Sequence, residues 1–203
     1  ANLIKKGVVI DKLLDTLIIT KGVKVDDLVL GDKNAIMVAA RILAYGPEYT
    51  CEVTNPTNGN KFTHTFNLAD CPFQKLPAEI TENSFEVELP VAKNKIGFKI
   101  LTGKDERAID EELKRLKKIG SLVSPELTTR LKYCIISIDG DTDNNKIRHF
   151  VDNMLAKDSL FLRTEMAKYA PDIEMEQELE IEGETVLVAI PMTVSFFWPD
   201  GKE

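Results

Sequence analysis

Between Asn144 and Ala156 the apolar residues Ile147, Phe150, Val151, Met154 and Leu155 recur at the i, i+3, i+4, i+7, i+8 spacing of a helix with one buried face. Asp158 is placed to cap a second helix through its side-chain oxygen, with Leu162, Met166 and Tyr169 on one side and Pro171 as the stop. The period then changes to two. Ile173, Met175, Leu179 and Ile181 alternate with Asp172, Glu174, Glu176, Glu178, Glu180, Glu182 and Glu184. This predicts a strand with one mostly apolar face, Gln177 excepted, and one fully acidic face. Gly183 marks a turn, and Thr185 to Ile190 supplies a returning strand rich in β-branched residues.

Upstream, Asp32 to Tyr45 predicts a helix with Asp32 as N-cap and Gly46-Pro47 as the stop. Tyr49, Cys51 and Val53, then Phe62, His64, Phe66 and Leu68, alternate with polar residues around the turn Asn55 to Asn60, which predicts a hairpin. A second hairpin is expected from Phe85–Leu89 to Ile96–Ile100. Thr102 and Asp105 have capping-box spacing ahead of a helix with Ile109, Leu113 and Leu116 on one face and Gly120 at its end. Ser124-Pro125 opens a further helix to about Tyr133, followed by the apolar run Cys134 to Ile138. Val8 to Thr20 fits helix and strand equally. These elements describe an α+β protein, expected as a single compact domain over 1–203. Its sub-regions are 1–101 (helix and two hairpins), 102–170 (a helical layer) and 171–203 (a hairpin with an aromatic terminus).

The chain's 203 residues, 43% of them hydrophobic, suffice for a substantial core. No apolar run approaches the ~20 residues a membrane span needs, and the opening residues are expected to carry no secretory signal. Three cysteines, Cys51, Cys71 and Cys134, are odd in number and irregularly spaced, which favours buried thiols in a reducing compartment. The net charge of −7, without a stripe of Lys and Arg among aromatics, argues against nucleic-acid binding.

Several runs carry a family resemblance. They are Leu30-Gly31-Asp32-Lys33-Asn34-Ala35-Ile36, Ala39-Ala40-Arg41-Ile42 and Tyr45-Gly46, then Leu101 to Glu106 and Leu127 to Leu131. They continue with Asp158 to Arg163, Ala170 to Met175, Ile190-Pro191-Met192-Thr193 and Phe196-Phe197-Trp198-Pro199. In this order and spacing the chain resembles the baseplate hub assembly proteins of T-even-like contractile-tailed bacteriophages. The resemblance implies a non-enzymatic chaperone or assembly factor for the central hub. It would act in the host cytoplasm on other baseplate hub proteins, with neither nucleic acid nor membrane as partner. Two alternatives remain: a permanent structural subunit of the virion's tail baseplate, and a degenerate zinc-ribbon nucleic-acid module.

Relatives in that family often carry a Cys-Pro-x-Cys-Gly knuckle in the first hairpin and a Cys-x-x-Cys-Gly knuckle in the C-terminal one, and four thiolates from two knuckles make a closed zinc site. Here the knuckles read Asn55-Pro56-Thr57-Asn58-Gly59 and Leu179-Glu180-Ile181-Glu182-Gly183. The ligand positions Asn55, Asn58, Leu179 and Glu182 hold no thiol, so the expectation is a metal-free, zinc-ribbon-like sheet region built from the two hairpins, without a cofactor. Asp139, Asp141 and Asp143 match the start of a calcium loop, but Asn144 stands where its Gly belongs and Phe150 where its Glu belongs, leaving a polar turn with Asp143 as helix cap. Gly103-Lys104 lacks the rest of a phosphate loop, and neither His64 nor His149 lies near a nucleophile motif, so no catalytic residues are assigned. Phe196 and Trp198 are the candidate partner-binding residues. Phe197 is expected in the core beside the face of Ile173 to Ile181, and Trp198 at its edge.

Overall fold

The computed structural model describes residues 2–74, 76, 79–118, 125–181, 183–192 and 194–197. In chain order the helices are α1 (Asn2–Leu17), α2 (Leu30–Tyr45), α3 (Gly103–Lys118), α4 (Glu126–Cys134), α5 (Asn144–Asp152), α6 (Ala156–Tyr169) and α7 (Val194–Phe197). The strands are β1 (Glu48–Thr54), β2 (Lys61–Asn67), β3 (Phe73–Gln74), β4 (Phe85–Glu88) and β5 (Lys95–Phe98). They continue with β6 (Ile135–Ile138), β7 (Asp172–Ile173), β8 (Glu176–Ile181) and β9 (Glu184–Ala189). Every sheet is small and antiparallel: β1-β2, β3-β7, β4-β5-β6 and β8-β9. The protein is thus mixed helix and sheet, as an α+β reading requires. Among the described residues no helix is long and apolar enough to cross a membrane.

The chain divides into two compact units. The first comprises residues 1–22, 31–75 and 171–203; the second comprises 23–30 and 76–170. Strands β4 and β5 fall in the same unit as helices α3 to α6.

In the first unit, the ambiguous N-terminal segment is helical, and Leu14 of α1 is fully buried. Helix α2 begins at Leu30, two residues before its expected cap, and buries Gly31, Met37, Val38 and Arg41. It ends at Gly46, whose φ of +83° suits a residue without Cβ and whose N–H donates to the Ile42 carbonyl at 2.8 Å. The first hairpin pairs Tyr49 with Phe66 and Val53 with Phe62, burying Tyr49, Val53 and Phe66 on one face. The predicted long strand from Asp172 is split. Ile173 pairs with Phe73, and β8 restarts at Glu176 to pair with β9 in the register Leu179–Val186 and Gln177–Val188. The two hairpins are separate two-stranded ladders, joined where Gln177 Nε2 donates to the Asn67 carbonyl at 3.2 Å.

Gly31 shows how tightly this unit is assembled. A Cβ there would fall on the Pro171 carbonyl oxygen and 2.9 Å from Asp172 Cα, so α2 meets the backbone of the segment leading into β7 with no room for a side chain.

The second unit packs α4, α5 and α6 on the three-stranded sheet around Leu89, Ile96, Phe98, Leu131, Ile135, Ile147, Val151 and Leu162. Burial of each such side chain is worth roughly 1.5–3 kcal/mol. The apolar run after α4 becomes β6. Thr102 and Asp105 form the expected capping box: Thr102 N–H donates to the Asp105 carboxylate at 3.0 Å and Asp105 N–H to Thr102 Oγ1 at 3.4 Å. Gly120 and Ser124 lie outside the described residues. Asp143 caps α5 as expected, accepting from Asn145 N–H at 2.8 Å. That helix stops at Asp152 rather than 156, which leaves Leu155 half-exposed in the link to α6.

Asp158 departs from its expected role. Helix α6 starts at Ala156, so Asp158 lies inside the first turn and is fully buried. Its carboxylate accepts the N–H groups of Val91 and Ala92 at 2.9 and 3.0 Å, and so caps the β4–β5 loop instead of its own helix. The side chain satisfies the more distant backbone because tertiary packing brings that loop over the helix N-terminus, where a negative charge is also favoured.

Candidate functional site

In the turn between β1 and β2, Asn55 and Asn58 hold the loop's own backbone. Asn55 is buried; its Oδ1 accepts the Thr57 N–H at 2.8 Å, and its carbonyl accepts the Gly59 N–H at 2.8 Å. Asn58 Oδ1 accepts the Asn60 N–H at 2.9 Å. Both amides are thus engaged in holding the loop's own backbone, the use to which Asn is well suited in turns. Leu179 is half-buried in β8, opposite Val186; Glu182 lies outside the described residues. Among the described residues no group of three or more His, Cys, Asp and Glu side chains is arranged to hold a metal.

The three cysteines are free thiols: Cys71 and Cys134 are buried and Cys51 is half-buried. Burial pushes all three thiols up, Cys134 to about 12, which disfavours the nucleophilic thiolate. His64 sits between the rings of Phe66, 4.8 Å away, and Phe62, 6.5 Å away, on the inner face of the first hairpin; His149 is exposed on α5. Asp139 accepts from Asn94 Nδ2 at 2.6 Å and Lys95 N–H at 2.8 Å. Asp141 accepts from Lys146 Nζ at 2.5 Å and Asp143 N–H at 2.9 Å. These donors hold both carboxyls below the usual carboxylate range. The polar turn is stitched to its neighbours by its own carboxylates.

On β8 the acidic residues Glu176, Glu178 and Glu180 are exposed while Gln177, Leu179 and Ile181 turn inward, as the alternation predicts. Their cross-strand neighbours are Ala189, Leu187 and Thr185, so the carboxylates face no cation across the ladder.

The C-terminal aromatics divide differently from expectation. Phe196, a candidate partner contact, is fully buried: its ring packs edge-on to Tyr49 at 5.0 Å and to Phe197 at 5.1 Å. It is a core residue because α7 turns it inward, where an extended chain would have alternated its neighbours. Phe197 is buried as expected; its carbonyl accepts the Tyr45 hydroxyl at 3.0 Å, and it lines a groove with residues of α1 and α2. Trp198 lies outside the described residues.

That groove was not anticipated. It has a volume of about 630 Å³, and its walls include Leu13 and Leu17 of α1 and Ile36, Leu43 and Tyr45 of α2. Leu43 is 88% exposed. Arg41 also lines it and is only 3% exposed, its guanidinium 4.6 Å from the Tyr45 ring centre and 5.6 Å from that of Tyr49. Its Nη2 reaches the Glu48 carbonyl at 3.4 Å, whereas Nε and Nη1 are buried without an acceptor among the described residues. The one sequence signal was a basic residue inside the apolar run Ala39-Ala40-Arg41-Ile42-Leu43.

Comparisons with protein-family profiles, with curated proteins and with solved structures find no match for this chain.

Proposed function

We propose that this chain is a non-enzymatic assembly factor for the central baseplate hub of a T-even-like contractile-tailed phage. It would bind hub proteins in the host cytoplasm and cover their assembly surfaces until they join. The observation that supports this reading is where the resembling runs meet. Leu30–Tyr45 forms α2, and parts of the separate runs at Pro171–Met175, Ile190–Pro191 and Phe196–Phe197 meet it or β1. Gly31 abuts Pro171, the Tyr45 hydroxyl donates to the Phe197 carbonyl, and the Tyr49 hydroxyl donates to the Pro191 carbonyl at 2.9 Å. Runs far apart in sequence that share one packed unit are the pattern expected of a common fold.

The physical role would be mass action. A factor that binds unassembled subunits lowers their free concentration and so their aggregation, and its net charge of −7 with an exposed acidic hairpin keeps it dispersed. The paired hairpins would be a ribbon-like region that has replaced thiolate ligation by side-chain hydrogen bonds within the Asn55–Asn60 turn. Quantitative mass spectrometry of purified virions tests the reading. An assembly factor is absent or far below the copy number of hub proteins; a fixed stoichiometric copy number makes the chain a permanent baseplate subunit instead.

A further inference from the structure

We infer that the α1–α2 groove of the first unit is a docking site for an apolar segment of a partner protein that carries a carboxylate, and that Arg41 receives that carboxylate. The inference stands on the groove itself and does not depend on the hub reading.

The walls are apolar and partly exposed: Leu13, Leu17, Leu43 and Tyr45 together present a surface that a lone soluble helix pair would ordinarily cover. Leu13 and Leu17 lie one turn apart on α1, and Ile36 and Leu43 two turns apart on α2. Exposed Ala39 and Ala44, also lining the groove, leave room for another backbone to come close. This is the shape in which an amphipathic helix lays its apolar face.

Arg41 adds the charge. Buried polar groups nearly always have a partner, and a guanidinium carries five donors in a rigid fork matched to a carboxylate. Here the fork is buried and flanked by two tyrosine rings, yet two of its nitrogens have no acceptor among the described residues. A purely apolar occupant would leave those donors unsatisfied. A segment bearing Asp or Glu among Leu or Ile residues would satisfy them while covering Leu43.

The test is a selection of helical peptides from a random display library against the full 203-residue chain, followed by fluorescence polarisation with one enriched peptide. Enriched sequences should hold an acidic residue at a fixed register to apolar ones. Changing that acid to its amide should weaken binding at least 10-fold, and the same change should have little further effect on Arg41→Met. Leu43→Asp, at an exposed position that leaves the fold intact, should abolish binding. The acid-to-amide change lies in the peptide, so this arm holds even if Arg41→Met fails to fold. Several outcomes would overturn the inference: enriched peptides without an acidic register, binding indifferent to the amide change or to Leu43→Asp, displacement by dodecanoate of peptides that have no acid requirement, or self-association of the chain abolished by Leu43→Asp.

Discussion

Replacing Gly31 by Ala sets two effects of opposite sign against each other. In an ordinary helix the change stabilises by up to about 1 kcal/mol, because Gly loses more backbone freedom on folding. Here the new methyl would fall on the Pro171 carbonyl oxygen, with Asp172 Cα 2.9 Å away, and both obstacles are backbone that cannot rotate aside. Forcing an extra carbon into a packed site typically costs about 1–3 kcal/mol, more where backbone must shift. The steric effect should win, for a net loss of about 1–2 kcal/mol. For a unit of about 100 residues, each kcal/mol moves the midpoint by roughly 4–8 °C, so Gly31→Ala should lower the melting transition of the first unit by about 4 °C or more. Circular dichroism melts of the two proteins at one concentration provide the assay. A variant that melts at or above the wild-type temperature would refute the close approach of α2 to Pro171, and with it the convergence of the resembling runs.

The other predictions concern the second unit. Asp158→Ala removes two charge-assisted hydrogen bonds from a fully buried site and should destabilise by about 3 kcal/mol, read as a shifted urea midpoint; an unchanged midpoint would mean that the Val91 and Ala92 N–H groups do not rely on it. Cys134, whose thiol is pushed up to about 12, should react with a thiol reagent at pH 8 only as the unit unfolds, whereas rapid labelling in the native protein would contradict its burial. Burial alone would raise the Asp105 carboxyl, but the hydrogen bonds from Lys99 and from the Thr102 N–H outweigh it and hold it below the usual range. A depressed folded-state value means stability that is present above the unfolded value of about 3.9 and lost as pH falls through the folded one. The melting difference between wild type and Asp105→Asn should therefore be constant from pH 7 to about 5 and shrink below about 4; a difference independent of pH would remove the ion pair from the account.

Where local chemistry decides, the sequence was legible. The hairpins at Tyr49–Phe66 and Glu176–Ala189, the Gly46 stop, the Thr102–Asp105 box and the Asp143 cap all depend on residues close to one another along the chain. The failures have a different physics. Asp158 has the right type for a cap, but a loop more than 60 residues away competes for its oxygens. The split at Ile173 comes from pairing with Phe73, and no periodicity in one segment reports the strand it will meet. Phe196, a candidate partner contact, lies in the single helical turn α7 and is buried, a direction that a strand-like alternation does not report. Arg41 was hidden because an arginine in an apolar helix reads as a surface residue until the burial of its neighbours is known.

The proposed function requires that the chain bind hub proteins before they assemble. Affinity purification of the tagged chain from phage-infected cells, read by mass spectrometry against an untagged control, tests it most directly. Baseplate hub proteins should be enriched with the chain during the late phase of infection. Enrichment of no tail protein at all would contradict it.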